Sequence, residues 1–354
     1  MSTIQNYLVS ERQKSSLLLA QFVDQEFSLF DTDLYARDFL AAIKHNVIAG
    51  GKYGRPLLAK LAYEITSGHP SSDDVALATL ATELLHRFIL VHDDIIDGDK
   101  NRHGQPTLET LFSQEDFIKS NQSPWWGSSM AIVAGDVVHS LVDQAILKTS
   151  LPHDIKQRVI TGLHQCLINT ALGWRLETKL KTQPLSQTTL ADVEKAMMLV
   201  SGEYSVRWPL RIGQLLAGSQ FSWNKSLEEY GLHIGLAFQL QDDILGIFGD
   251  AAQTGKPVGG DIREAKKTHL LMHAYKHASP KNRLLLESML GKEVTIDQLA
   301  EVRQLFDATG SLEFAQQEIQ QHLNLGLSAI DSLKQTEASE KLKALACFLC
   351  NRDH

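Results

Sequence analysis

VALATLATELLHRFILVHDDIID, residues 75–97, is the stretch on which the reading of this chain turns. Ala78, Leu80, Leu84, Leu85, Phe88, Ile89 and Ile96 recur at helical spacing, and Pro70-Ser71-Ser72-Asp73 just ahead carries a helix-start signal. The helix then ends in His92-Asp93-Asp94-Ile95-Ile96-Asp97. Asp93 and Asp97, four apart, share one face, and Asp94 flanks them. Like charges at that spacing repel and weaken a helix unless a cation sits between them. His86 lies seven positions before Asp93, about 10 Å up the same face at the rise of an α-helix. Carboxylates at the end of an apolar run are costly to bury. They belong there if they hold a hard divalent cation, and Mg2+ takes carboxylate oxygens together with substrate phosphates. Read alone, the turn also fits a solvated helix end bearing surface aspartates, which the helix dipole disfavours.

A second acidic turn follows the apolar run Ile234 to Leu240: Gln239, Asp242 and Asp243 share a helical face, and Gly249-Asp250 comes soon after. The connector from Thr254 to Thr268 is glycine-rich and bears Lys256 and Lys266. Glycine lets backbone approach a ligand, and lysine supplies a point charge for phosphate oxygens. No strand precedes this loop and the GxxxxGK[ST] spacing is absent, which excludes a Walker loop. A third patch, Gly50-Gly51-Lys52-Tyr53-Gly54-Arg55-Pro56, sets two cations three apart before an apolar helix, as an anion pocket at a helix start would. Together these stretches point to diphosphate chemistry in a helical protein.

The rest of the chain predicts an all-α fold. Long helical patterns cover Met130 to Leu147, Asp154 to Leu180, Leu190 to Ala217, Leu227 to Phe248 and His269 to His277, with later helices from Thr295, Ser311 and Thr336. Several are apolar on more than one face, as expected inside a large bundle or at a dimer interface. No Ser/Gly/Pro-rich linker divides the 354 residues, so a single domain, 1–354, is expected. The net charge of -8 is spread along the chain and argues against a nucleic-acid partner. Met1 to Val9 has no signal-peptide pattern, and no uninterrupted run of 18 apolar residues predicts a transmembrane helix. Three cysteines fit a reducing compartment. Cys347 and Cys350, with His354 nearby, are read either as a metal or redox site or, preferably, as two buried thiols on a terminal helix.

In order along the chain, Gly51-Lys52-x-x-Arg55-Pro56, His86, Asp93-Asp94-x-x-Asp97, Arg102-x-Gly104-x-Pro106-Thr107, Gly135-Asp136, Phe238-Gln239-x-x-Asp242-Asp243, Gly255-Lys256-Pro257 and Gly260-Asp261-x-Arg263-Glu264-x-Lys266 resemble the trans-type isoprenyl diphosphate synthases of the polyprenyl synthetase family, over roughly residues 30–290. The resemblance implies a cytoplasmic, Mg-dependent prenyltransferase, usually a homodimer, built as a single helical bundle around a deep central cavity. It would condense isopentenyl diphosphate with allylic diphosphates of C5 to C15. By analogy the two acidic turns face each other and hold three Mg2+, for which Mn2+ can stand in, through Asp93, Asp94, Asp97, Asp242, Asp243 and Asp250. Lys52, Arg55, His86 and His103 resemble the isopentenyl diphosphate site. Arg102, Lys256 and Lys266 resemble the allylic side, and Ser201 and Gln239 are further substrate-binding candidates.

Several positions depart from the family pattern. His103 stands where a second Arg is common, Glu109 replaces a frequent His, and Trp174 and Glu177 occupy places often filled by Gln and Asp. Val200 stands where a Lys usually contacts the allylic diphosphate, and Gly246 replaces the third Asp of the second turn. These departures leave open an altered substrate preference or a weakly active subunit of a heteromeric synthase. A class I terpene cyclase would also use a DDxxD turn, but its second metal motif is not intact here: Thr170 and Gly173 fill the inner places between Asn169 and Glu177. A metal-binding scaffold without activity would leave the ordered cationic loops unexplained. In this family the side chains one to two turns before the first Asp form the floor beneath the growing hydrocarbon. Phe88 and Ile89 hold those places, which favours a geranylgeranyl product, with farnesyl and longer polyprenyl products as alternatives.

Overall fold

Helix starts in this protein are fixed by short polar side chains. Asp33 accepts from the Ala36 amide at 2.9 Å, and Ser72, Thr107, Asn224, Thr268 and Ser279 act in the same way at the starts of their helices. Thr189 and Thr295 form complete capping boxes with Asp192 and Gln298. The protein is described here from a computed structural model covering residues 3–30, 33–102, 104–114, 125–249 and 258–350. Its helices are α1 (Thr3–Ser28), α2 (Leu34–Ile48), α3 (Gly54–Ser67), α4 (Asp73–Asp97), α5 (Leu108–Ser113), α6 (Trp126–Leu147), α7 (His153–Thr182), α8 (Leu190–Met197) and α9 (Trp208–Leu216). They continue with α10 (Lys225–Phe248), α11 (Gly260–Arg263), α12 (His269–His277), α13 (Pro280–Met289), α14 (Ile296–Ala308), α15 (Ser311–Ala329) and α16 (Glu337–Cys350). The all-α expectation holds, with one addition: β1 (Asn101–Arg102) and β2 (Gln105–Pro106) form a two-residue antiparallel ladder.

The chain divides into two compact units. The first comprises 1–164 and 209–222. Within it α4 packs along α6 and against α3, and α5 packs on α6. Gly135 makes the α4–α6 approach possible, since a Cβ there would run into the His92 ring. By length and composition α4 and α6 could cross a membrane, but 78% of the apolar window of α4 is buried inside the protein, which accounts for its composition.

The second unit comprises 165–208 and 223–354. Its centre is α10, packed against α15 and against a ten-residue π-helix, Met198–Arg207. A Cβ on Gly235 of α10 would stand 3.2 Å from the Gly202 Cα of the π segment, so glycines bring these two backbones together. Fully buried Tyr230 donates its hydroxyl to the Leu342 carbonyl at 2.9 Å and ties α10 to α16. The helix expected over Leu190 to Ala217 is therefore three segments, α8, the π segment and α9. The terminal cysteines differ from expectation as well: Cys350 is buried but Cys347 is exposed, and neither is in a disulfide.

Candidate functional site

In the first unit, three aspartates close α4. Its last turn has no basic residue, and Gly98, at φ 69°, ends it by returning its N–H to the Asp94 carbonyl. The negative helix end thus meets three negative side chains. The β1–β2 ladder folds Arg102 back onto them. Arg102 bonds Asp94, which is 3% exposed, and its Nη2 lies 3.6 Å from Asp93 and 3.5 Å from Asp99. Burial works against the charge of Arg102, but Asp94, Asp93 and Asp99 outweigh it and hold the guanidinium above its ordinary pKa. Asp93 and Asp97 stay half-buried on the same helix.

His86, two turns earlier on α4, is half-buried, and Lys52 and Arg55 enter at the start of α3. The predicted floor residues part company. Ile89 is 2% exposed and belongs to the core. Phe88 is half-buried and sits between two imidazoles, with ring centroids 4.5 Å from His92 and 4.9 Å from His139. His103 lies outside the described residues.

In the second unit a pocket gathers four of the predicted residues: Ser201 from the π segment, Gln239 and Asp243 from α10, and Lys266 after α11. Leu180, Val193, Met197 and Val200 form its apolar wall. Gln239 donates to Asp243 at 2.9 Å, and the Lys266 ammonium lies 3.5 Å from Asp243 and 3.8 Å from Asp261. Burial, only partly opposed by Lys266 and reinforced by Asp261, raises the pKa of Asp243 to about 7. Burial also opposes the charge of Lys266, but Asp261 and Asp243 hold it protonated. Asp242 is half-buried beside Asp243 on α10. Asp250 and Lys256 lie outside the described residues.

Gly246 explains where the missing third carboxylate went. A Cβ at Gly246 would stand 2.7 Å from Asp261 Oδ2, so the absence of a side chain on α10 admits an aspartate from α11. Asp261 was visible only as part of a motif, and its place in this cluster was not legible from spacing. Lys267 was missed too. It lines the same pocket as Val200, is 7% exposed, and its Nζ sits 3.3 Å from the Ala265 carbonyl, with burial lowering its pKa. Its position after Lys266 was the only available signal.

The donor set suits a hard divalent cation. The carboxylates of Asp93, Asp94 and Asp97 on α4 and of Asp242 and Asp243 on α10 offer the oxygen ligands such an ion takes. Among the described residues, no group of three His, Cys, Asp or Glu side chains is placed to hold a metal ion by itself.

The polyprenyl synthetase family profile matches residues 37–308. The chain is 31% identical over 340 residues to a short chain isoprenyl diphosphate synthase of Methanothermobacter thermautotrophicus, covering 95% of this chain and 97% of that one. A (2E,6E)-farnesyl diphosphate synthase of Mycobacterium tuberculosis is 31% identical, covering 85% of this chain and 80% of its own length. Among solved structures, a geranylgeranyl pyrophosphate synthase from Corynebacterium glutamicum, complexed with isoprenyl diphosphate and magnesium, superposes with a TM-score of 0.88 at 30% identity, covering 97% of this chain and 98% of that one.

Proposed function

The chain belongs to the polyprenyl synthetase family and is a trans-prenyltransferase, and on that premise we propose that it makes geranylgeranyl diphosphate by successive addition of isopentenyl diphosphate to allylic diphosphates of C5 to C15. The observation that carries this reading is the pair of acidic turns, each with a buried aspartate beside a fixed cation: Asp94 with Arg102 and Asp243 with Lys266.

In this reading Lys52, Arg55, His86 and His103 bind the isopentenyl diphosphate. Arg102, Ser201, Gln239, Lys256 and Lys266 surround the allylic diphosphate. Asp93, Asp94, Asp97, Asp242, Asp243 and Asp250 hold three Mg2+, which supply positive charge to the diphosphate oxygens. Arg102 and Lys266 add preorganised charge where negative charge develops as the allylic C–O bond breaks. Leu180, Val193 and Met197 keep water from the carbocation. The homoallylic double bond then attacks, and the released diphosphate takes the proton. Phe88, wedged between His92 and His139, supports a stop near C20. A second copy of the chain covers α6, where Ile132 and Val133 are 44% and 47% exposed. The cytoplasm is its compartment.

Incubating the protein with Mg2+, labelled isopentenyl diphosphate and each allylic diphosphate from C5 to C20, followed by chain analysis, tests the reading. The expected product is C20, and Phe88→Ala should lengthen it. A C15 product would replace geranylgeranyl by farnesyl. Absence of any product would point to a subunit that needs a partner, the reading that Val200 in the pocket wall would then favour.

A further inference from the structure

Arg87 interrupts the most apolar stretch of α4, and its side chain is 3% exposed. It forms an ion pair with Glu83 at 2.9 Å, one turn back and equally buried. A buried ion pair often contributes no more stability than well-packed apolar residues would, so its presence needs another reason. The rest of the guanidinium supplies one. Nη1 donates to the Ala49 carbonyl at 3.0 Å and Nη2 to the Gly50 carbonyl at 3.1 Å, while the group lies 5.9 Å from the centre of the Tyr53 ring. Gly51, at φ 104°, has no room for a side chain: a Cβ there would collide with Nη2. Gly50, Gly51 and Tyr53 all hold positive φ; glycine adopts it freely, but Tyr53, at φ 51°, sits where a residue with a Cβ rarely does.

In a trans peptide the carbonyl of one residue and the N–H of the next point in opposite directions. Two carbonyls drawn inward by Arg87 therefore turn the N–H groups of Gly50 and Gly51 outward. Gly50 and Lys52 are exposed in this loop, and Gly51 is half-buried. Successive outward N–H groups beside a cation form an anion-binding concavity. We propose that Arg87 is a positioning residue that shapes the Gly50–Lys52 loop into the cradle for the diphosphate of the homoallylic substrate. This rests on the reading of Lys52 and Arg55 as that substrate's site. Arg87 does not touch the substrate; it acts through the loop.

Steady-state kinetics with both substrates varied would test it, using Arg87→Met, Arg87→Lys, the charge-free pair Glu83→Gln/Arg87→Met, and Gly51→Ala. The expected result is a rise of about tenfold or more in the KM for isopentenyl diphosphate, with the KM for the allylic diphosphate and kcat within about twofold. Lysine keeps the charge but loses the planar fork, so Arg87→Lys should fall between wild type and Arg87→Met. Gly51→Ala, which displaces the guanidinium while Arg87 and Glu83 remain, should reproduce the selective effect even if the Arg87 variants do not fold. An unchanged isopentenyl KM in folded variants overturns the proposal. So does an equal loss for both substrates, which marks a purely structural role. Lys52→Ala separates the two levels: if it raises the isopentenyl KM and the Arg87 variants do not, only the role of Arg87 fails. If Lys52→Ala has no effect, the site assignment fails and takes the proposal with it.

Discussion

At the end of α4 the aspartates meet a guanidinium; at the end of α10 they meet an ammonium and one another. Arg102 is always charged, bonds Asp94 and reaches Asp93 and Asp99, so one guanidinium is shared among three carboxylates of the first turn. Lys266 lies 3.5 Å from Asp243 and 3.8 Å from Asp261, and burial raises the pKa of Asp243 to about 7. In both turns carboxylates outnumber the cation beside them; the difference lies in the cation, a forked guanidinium bonded to Asp94 in one and an ammonium 3.5 Å from Asp243 in the other, where burial raises the carboxyl's pKa.

The largest expected effect tests whether both turns serve turnover. Asp93→Ala and Asp243→Ala should each lower kcat on the order of 10^2- to 10^3-fold, as expected when charge stabilisation at a leaving group is removed. Turnover near wild type in either variant, measured at saturating Mg2+, would remove that turn from the chemistry.

Stability gives a smaller and asymmetric effect. Arg102→Met leaves Asp94 buried without its partner and should cost about 3–5 kcal/mol in urea unfolding of the metal-free protein. Lys266→Met should cost less, about 1–3 kcal/mol, because Asp243 can take up a proton near neutral pH. Equal losses would mean that proton uptake by Asp243 does not offset the loss of its cation.

The smallest effect is in pH. The pKa of Asp243 is raised from 3.8 to about 7, so the folded state holds a proton that the unfolded chain has released. Its contribution to stability is fully present below about pH 3.8 and is lost as pH rises through about 7. Metal-free protein should therefore lose stability over that window, and Mg2+ should stabilise it more at pH 8 than at pH 5, since binding competes with the proton. Asp243→Asn should flatten the profile. An unchanged profile in that variant would assign the pH dependence elsewhere.

Helix content and both acidic turns were legible because they rest on local signals. Ser72, Thr268 and Thr295 mark helix starts that spacing alone could find, and the aspartates stand out against apolar neighbours. What could not be read depends on contacts distant in sequence. Asp261 reaches the second turn only because Gly246 leaves space for it. Arg87 resembles an ordinary charge on a helix until its bonds to Ala49 and Gly50, 38 and 37 residues away, are seen. The sequence of α4 joined Phe88 and Ile89 as one floor, whereas adjacent helical positions point about 100° apart and the fold buries just one of them completely.

The π segment Met198–Arg207 has a bearing on how such a chain can change. Each turn of a π-helix takes in one residue more than an α turn. Deleting one residue there would let that turn relax into an α-helix and shift the residues within it around the helix axis, while the flanking helices keep their register. Ser201 and Val200 would leave the wall they share with Asp243, while α10 itself stayed untouched. A one-codon loss or gain in this stretch is thus a route by which descendants of this chain could exchange one pocket lining for another in a single step.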